Sequence, residues 1–337
     1  MNLVYMCVFY NSKYIRLLEL LFLSLRVFSS RDSFDILILT SDDFQEQIRD
    51  LADRLQVPCK IHCIPCTSIF EAACSRLHVF DWPEIGRYKK ILYLDTDIIV
   101  RRDLSSLFSF DLEDILYGIP SGTLKSHHFG GEFFDFATID PSTPGMNSGT
   151  MLFTSSNPVR DLFSRILCHA REYSSTSTPP YALDQPFINY HGFISSMCNT
   201  TLLTPYVSLY EDTMIVDNAD TALVCHFSYP IGNFEHKYKR MSVFFESLLN
   251  TPHTEMKCTH LIGKQYSWEN GYIRFNDTGI ETSWGRGVCK MLDVNVVYAM
   301  WNNYVHILKF NTDCTKFMSI RTAPMDFECI WGMILAT

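Results

Sequence analysis

The chain has 337 residues, of which 47% are apolar, 14% aromatic and only 19% charged; that is enough core for a globular protein and argues against wholesale disorder. A formal net charge of −9 argues against a nucleic-acid partner, which would be held by a surplus of Lys and Arg. At this length the chain makes one large domain with an appendage, or two domains.

Leu3 to Phe9 reads as a first strand, and its flanks lack the basic leader and small-residue cleavage site of a secretory signal. Residues 13–28 form a helical pattern. Its apolar part, Leu17 to Phe28, is interrupted by Glu19, Ser24 and Arg26 and is too short to span a bilayer, so no membrane span is expected. Twelve scattered cysteines do not resemble a disulfide scaffold, which favours a reducing, cytoplasmic setting. Asp35 to Leu39 is a second strand, and Ser41 or Asp42 can cap a helix from Phe44 to Leu55. Lys60 to Ile64 gives a third strand, Phe70 to Phe80 a helix, and Ile91 to Leu94 a fourth strand. This β-α-β-α-β order predicts an α/β fold, a mostly parallel sheet with helices on both faces.

The fourth strand is all apolar, as in a central strand covered on both sides, yet it ends in Asp95-Thr96-Asp97. Buried carboxylates need a cationic partner, and the carboxyl edge of an open α/β sheet is where ligands bind. A divalent ion on Asp95 and Asp97 that neutralises a nucleotide diphosphate would satisfy both requirements. Read alone, Asp-x-Asp is equally a strand end with one acid capping the next element.

Beyond it, Ser121 to Thr143 reads as a long loop, the usual place for an active-site lid. Met151 to Thr154 resumes a strand, Val159 to Tyr173 is a helix, and Leu183 to His191 begins another. The character changes near residue 250. From Tyr266 to Arg321 short β runs alternate with turn signals (Glu269-Asn270-Gly271, Asn276-Asp277-Thr278-Gly279, Asn302-Asn303), which predicts a small antiparallel domain over residues 262–325 after a first domain over 1–250. Its many aromatics serve either as core, which so small a domain needs, or as glycan platforms.

Several motifs occur in one order. The run Leu94-Asp95-Thr96-Asp97 is followed by Asp103-Leu104 and by Leu107-Phe108. Ser75-Arg76-Leu77-His78 precedes it, and Met146-Asn147-Ser148-Gly149, Leu183-Asp184-Gln185-Pro186-Phe187-Ile188-Asn189 and Cys225-His226-Phe227 follow. In these stretches the chain resembles the glycogenin-like retaining glycosyltransferases, glycosyltransferase family 8, over roughly residues 3–245. The resemblance implies a GT-A type domain and a metal held by Asp95, Asp97 and His226. The metal would be Mn²⁺ or Mg²⁺, with a UDP-sugar as donor and a glycan or protein as acceptor. It places Val8, Tyr10, Asn11 and Tyr14 near the uridine and Arg76 facing the donor. Asn147, Ser148 and Gly149 would line the sugar, Asp184 would bind its hydroxyls, and Gln185 would lie near the anomeric carbon.

The chain departs from the family where Gly and then Lys-Pro-Trp usually follow the metal-binding His. Here Tyr229 stands in place of that Gly, and Gly232 and Lys237 are the available substitutes. Two rival readings remain: a non-catalytic glycan-binding protein on a transferase-like fold, and a thiol-redox protein using Cys63 and Cys66.

Overall fold

The computed structural model describes residues 1–30, 32–211, 215–216, 221–228, 233–250, 259–293, 295–323 and 329–335. The chain divides into two compact units. The first comprises Met1–Leu21, Ser29–Ala52 and Pro58–Met241; the second comprises Phe22–Phe28, Asp53–Val57 and Ser242–Thr337.

In chain order the first unit begins with β1 (Asn2–Val8), α1 (Tyr14–Phe28), β2 (Asp35–Thr40), α2 (Asp42–Arg54), β3 (Lys60–Cys63), α3 (Ile69–Cys74) and β4 (Lys90–Leu94). It continues through β5 (Ile98–Val100), β6 (Leu116–Thr123), β7 (Pro144–Thr154), α4 (Asn157–Thr176), α5 (Gln185–Ile194) and β8 (Cys198–Asn199). Three further short strands, β9 (Val207–Tyr210), β10 (Ile215–Val216) and β11 (Val224–His226), precede α6 (Phe234–Asn250).

The main sheet has the order β3-β2-β1-β4-β7-β6-β8. Its first four strands are parallel, and β7 pairs antiparallel to β4. β1 and β4 carry unbroken apolar runs because both sheet faces are covered: Leu3, Val4, Tyr5, Ile91, Leu92 and Leu94 are fully or almost fully buried. Each such side chain contributes about 1.5–3 kcal/mol on leaving water. A second sheet, β10-β9-β11-β5, lies at the exit of β4. The α/β sheet predicted from residues 3–94 is therefore present, extended by antiparallel strands on one side.

Two local differences from the sequence reading concern the site. The helix expected from Phe70 to Phe80 is α-helical only to Cys74 and continues as a 3-10 turn over Ser75–Asp81. Ser75 Oγ donates back to the Ala72 carbonyl at 2.6 Å, a local bond that competes with regular winding. The strand expected from Met151 already begins at Pro144, so Asn147-Ser148-Gly149 lies inside β7. β6 pairs with this segment, Ile119 opposite Asn147 and Pro120 opposite Met146. The Asn189 side chain adds to it, accepting from the Met146 N–H at 2.7 Å and donating to the Met146 carbonyl at 2.9 Å, so that the backbone groups are satisfied. The long segment after Ser121 is held by a small cluster of Leu124, Phe129 and Phe134.

The second unit carries β12 (Gln265–Trp268), β13 (Gly271–Asn276), β14 (Gly279–Thr282), β15 (Gly285–Asp293), β16 (Val296–Trp301), β17 (Tyr304–Phe310), β18 (Lys316–Ala323) and β19 (Cys329–Met333). These form one antiparallel meander in sequence order. The first and last strands meet through a Tyr266–Ile334 bridge and a Leu335 N–H to Gln265 carbonyl bond of 2.8 Å. Its core is aromatic: Tyr266, Trp268, Phe275, Trp301, Phe310 and Phe317. Among the described residues, no helix is long and apolar enough to cross a membrane.

Candidate active site

β4 stops at Leu94, and the chain turns through Asp95-Thr96-Asp97 before β5. The turn is pinned from two sides. The Asp95 N–H donates to the Gly149 carbonyl at 2.8 Å, and the Phe227 N–H donates to the Asp97 carbonyl at 2.9 Å. Because β11 pairs with β5 through His226 opposite Ile98, the imidazole arrives between the two acids. His226 Nε2 lies 3.2 Å from Asp97 Oδ1 and 3.9 Å from Asp95 Oδ2. Strand pairing thus assembles residues that lie far apart in the chain.

Asp95, Asp97 and His226 each offer a ligand atom within 4.8 Å of the others, so together they could hold a metal ion. Three observations fit a cation there. Asp97 Oδ1 and His226 Nδ1 are buried without a hydrogen-bond partner, and an unsatisfied buried polar group costs about 1–3 kcal/mol. Two carboxylates and an imidazole are a donor set for a hard or borderline divalent ion. The close packing of this cluster depends on Gly149, because a Cβ at that position would lie 2.1 Å from His226 Cε1 and 2.7 Å from Asp95 Oδ2.

On the other side of the acids stands Lys237, 9% exposed, in the first turn of α6, its Nζ in contact with Asp97 Oδ2. Burial works against ionising Asp97, but the Lys237 ammonium, with the His226 imidazole adding to it, holds its carboxyl well below the usual range. Burial likewise opposes the charge on Lys237, and Asp97 outweighs it and raises the lysine. Lys237 thus reaches the acids from a helix. Gly232 lies outside the described residues.

Arg76 forms a second centre. Its guanidinium reaches Asp95 Oδ1 at 3.2 Å, Asp184 Oδ2 at 3.0 Å and the Ser148 carbonyl at 2.9 Å. It also lies 4.7 Å from the centre of the Tyr93 ring, a cation–π arrangement. Asp184 occupies the N-cap position of α5 without a side-chain capping bond. Burial pushes its carboxyl up to about 6, with Arg76 opposing and Asp95 reinforcing the rise. Gln185 Oε1 accepts from the Ser148 N–H at 3.1 Å, and its Nε2 donates to the His128 carbonyl at 3.0 Å. Asn147 Oδ1 accepts from the Gly149 N–H at 2.9 Å and so shapes the backbone beside the acids.

The structure therefore brings Arg76, Asp95, Asp97, Asn147, Ser148, Gly149, Asp184, Gln185, His226 and Lys237 together. The residues after β1 are spread differently. Tyr14 is half-exposed, and after burial its phenol feels Lys237, Asp97 and Asp95. Tyr10 is 59% exposed in a left-handed backbone conformation (φ 65°). Asn11 is exposed, its Oδ1 accepting from the Lys13 N–H at 3.0 Å. Val8 has a fully buried side chain, and its carbonyl accepts from Thr40 Oγ1, so only its backbone is near the edge.

Sequence reasoning missed Tyr93, whose hydroxyl contacts Asp95 Oδ1. Its signal was its place two residues before Asp95, hence on the same strand face. It also missed Glu211, which accepts from Ser121 Oγ at 3.3 Å and Ser228 Oγ at 3.4 Å; no local pattern marks it.

The described thiols include Cys63 and Cys66, both free. Burial, then Asp42, pushes Cys63 up to about 11, and burial raises Cys66. Neither has the lowered pKa of a reactive thiol, which speaks against the redox reading.

A parallel-rich sheet with an Asp-x-Asp turn at its carboxyl edge and a separate antiparallel β unit define a GT-A-like transferase scaffold. Solved structures agree. The chain is similar to the bifunctional glycosyltransferase WbbM in its apo form, with 13% identity and a TM-score of 0.52 over 71% of this chain and 49% of that one. It is also similar to the galactosyltransferase LgtC in complex with donor and acceptor sugar analogues, with 16% identity and a TM-score of 0.51 over 75% of this chain and 98% of that one. The chain thus spans about half of the former and nearly all of the latter; at these identities the likeness is one of fold. No curated protein matches the sequence.

Residues 71–228 match the family described as glycosyl transferase family 8. Arg76, both acids, Asn147 to Gly149, Asp184, Gln185 and His226 all fall within that match. Residues 71–228, just under half of the chain, thus carry a glycosyl transferase family 8 domain, which supports a glycosyltransferase enzyme.

Proposed function

We propose that the protein is a metal-dependent retaining glycosyltransferase that moves a hexose from a UDP-sugar to a glycan or protein acceptor. The observation that carries this reading is the cluster of Asp95, Asp97 and His226, each offering a ligand atom within 4.8 Å of the others, against which no side chain fits at Gly149. In this reading the transferase domain spans 1–250, and an accessory β domain spans 262–325.

Asp95, Asp97 and His226 would hold the cation, Mn²⁺ before Mg²⁺ because the set includes an imidazole. Bound there, the ion would neutralise the diphosphate and the charge that develops on it as the sugar departs. Lys237 supplies a second positive charge, on α6, to the same diphosphate. Tyr10, exposed at the end of β1, offers its ring to the uracil, with Asn11 and Tyr14 alongside and the Val8 backbone behind. Arg76 holds Asp184 and Asp95 in fixed positions and ties both to the Ser148 carbonyl. Asp184 then accepts from sugar hydroxyls, while Asn147 shapes the backbone around Gly149 and lets the sugar approach closely. Gln185, fixed by Ser148 and His128, faces the anomeric carbon without a covalent role.

The test is UDP release from a panel of UDP-sugars with Mn²⁺, with and without chelator. Chelator-sensitive release that is lost in Asp97→Ala supports the reading. Glycan binding with no turnover of any donor would favour the non-catalytic alternative.

A further inference from the structure

The second unit carries aromatic side chains of two kinds. Trp268, Phe275 and Phe317 are each 1% exposed, whereas Trp284 is 44% and Tyr304 41% exposed. Trp331 on β19 is exposed as well, at 55%, but Trp284 and Tyr304 lie together at one end of the meander. Strand pairs Trp268–Gly271, Thr282–Gly285 and Trp301–Tyr304 close three alternate hairpins, and in an antiparallel meander alternate turns fall on the same edge. The turns Glu269-Asn270, Ser283-Trp284 and Asn302-Asn303 therefore stand side by side.

They are tied together. The Tyr272 N–H donates to Ser283 Oγ at 2.9 Å, and Asn302 Nδ2 donates to the Trp284 carbonyl at 2.8 Å. Gly271 makes room for the indole, since a Cβ there would lie 3.1 Å from Trp284 Cη2. Asn302 and Asn303 take left-handed backbone conformations (φ 48° and 67°), which fix a tight two-residue turn. Below the tips, Trp301 stacks on His306 at 4.6 Å and meets Trp268 edge-on at 4.9 Å. His306 Nδ1 is in turn 2.8 Å from Ser319 Oγ. Arg321 lies over the Tyr304 ring, its guanidinium 5.5 Å from the ring centre, which leaves the other face free. Both rings stand on a packed, hydrogen-bonded base, so holding them in place costs little further side-chain entropy.

We propose that this hairpin edge is a carbohydrate-binding site, with Trp284 and Tyr304 as stacking platforms and the Asn270, Asn302 and Asn303 amides as hydroxyl partners. A pyranose ring presents a face of C–H groups, which the negative face of an aromatic ring attracts, and a rim of hydroxyls suited to neutral amides. A stable protein partner needs on the order of 1,000 Å² of complementary surface; two separated rings among exposed amides and a glutamate form a smaller, more polar footprint. An oligosaccharide chain fits that footprint. The site lies wholly within the second unit and does not depend on the metal ligands.

The experiment uses the full chain, in chelator and without donor, on a microarray of hexose- and pentose-based oligosaccharides. Intrinsic tryptophan fluorescence then titrates whichever sugars are retained. Retention by both the wild type and Asp97→Asn, reduced at least tenfold in Trp284→Ala and in Tyr304→Ala with unchanged melting, is the expected result. Retention lost in Asp97→Asn but kept in both aromatic variants would place binding in the transferase site and overturn the proposal. Retention of no oligosaccharide at all would overturn it equally.

Discussion

Asp97 and Asp184 are 9% and 2% exposed, and each touches a cation, yet their carboxyls move in opposite directions. Asp97 has Lys237 in contact and the His226 imidazole 3.2 Å away, and it is held below the ordinary carboxylate range. Asp184 must share Arg76 with Asp95, and burial pushes it up to about 6. Burial penalises both acids; what differs is how many cations each has to itself. An exclusive ion pair is worth about 4 kcal/mol at 4 Å with an effective dielectric constant near 20, enough to outweigh partial desolvation, whereas a shared one is not. The consequence is a division between the two acids. At neutral pH Asp97 is firmly an anion. Asp184, pushed up to about 6, titrates closer to neutrality, and in the proposed reading it would exchange hydrogen bonds with sugar hydroxyls.

The largest expected effect breaks the Asp97 end. Asp97→Asn should lower Mn²⁺-dependent UDP release by on the order of 10²–10³-fold, the cost of losing one preorganised electrostatic contact to a developing charge. Gly149→Ala attacks the same end without touching a ligand, and Mn²⁺ binding followed by electron paramagnetic resonance should weaken sharply while the fold survives. Overpacking of this kind costs about 1–3 kcal/mol, so melting reports whether the loss is local. Undiminished Mn²⁺ binding in Gly149→Ala would show that the cluster beside Gly149 is not the ion's place.

The Asp184 end is tested by pH. Its folded value of about 6 exceeds the ordinary carboxyl value of 3.8, so between these values the native state binds the extra proton. Stability is therefore lost as pH rises from about 4 to about 6. The Asp97 contribution has the opposite sign, present above its unfolded value and lost as pH falls through its lowered folded one. The Asp184 shift amounts to about 3 kcal/mol at 1.36 kcal/mol per unit. Unfolding midpoints in chelator should show Asp184→Asn gaining on the wild type across that window; a constant difference would mean that Asp184 does not titrate there. Lys237→Met should weaken UDP binding measured by calorimetry, since it removes the second cation from the diphosphate. Unchanged affinity would leave Lys237 as a counter-ion to Asp97 alone.

The contrast between the two ends also explains what could be read from the sequence. The parallel core was legible because β1, β2 and β4 are uninterrupted apolar runs. The acids were legible because two carboxylates at the end of a buried strand need a cationic partner, although one of them could also have capped the next element. Placing His226, Arg76 and Asp184 needed the family resemblance, since each acts across the sheet from a partner at least 19 residues distant in sequence. The extent of β7 was not legible: Asn147-Ser148-Gly149 has turn composition, and it is pairing with β6 and the Asn189 side chain reaching back from α5 that keep it in a strand. The shared use of Arg76, which sets the Asp184 titration, has no local signature at all. In the β unit every aromatic fits a core or a platform equally well until the turns are placed, and Trp284 and Trp301 then separate.

The smallest expected effect concerns Cys63 and Cys66, which lie at the end of β3 and just beyond it, away from both acids. Their spacing matches a redox pair, but a thiol pushed up to about 11 is almost entirely protonated at neutral pH, and the thiolate is the reactive form. Cys63→Ser replaces a half-buried thiol with a group of similar size, a change expected to stay near about 0.5 kcal/mol. UDP release by Cys63→Ser should match the wild type with and without reductant. Activity that follows the oxidation state of this pair would instead couple β3 to the transferase site, and the division between the two acids would then be only part of its control.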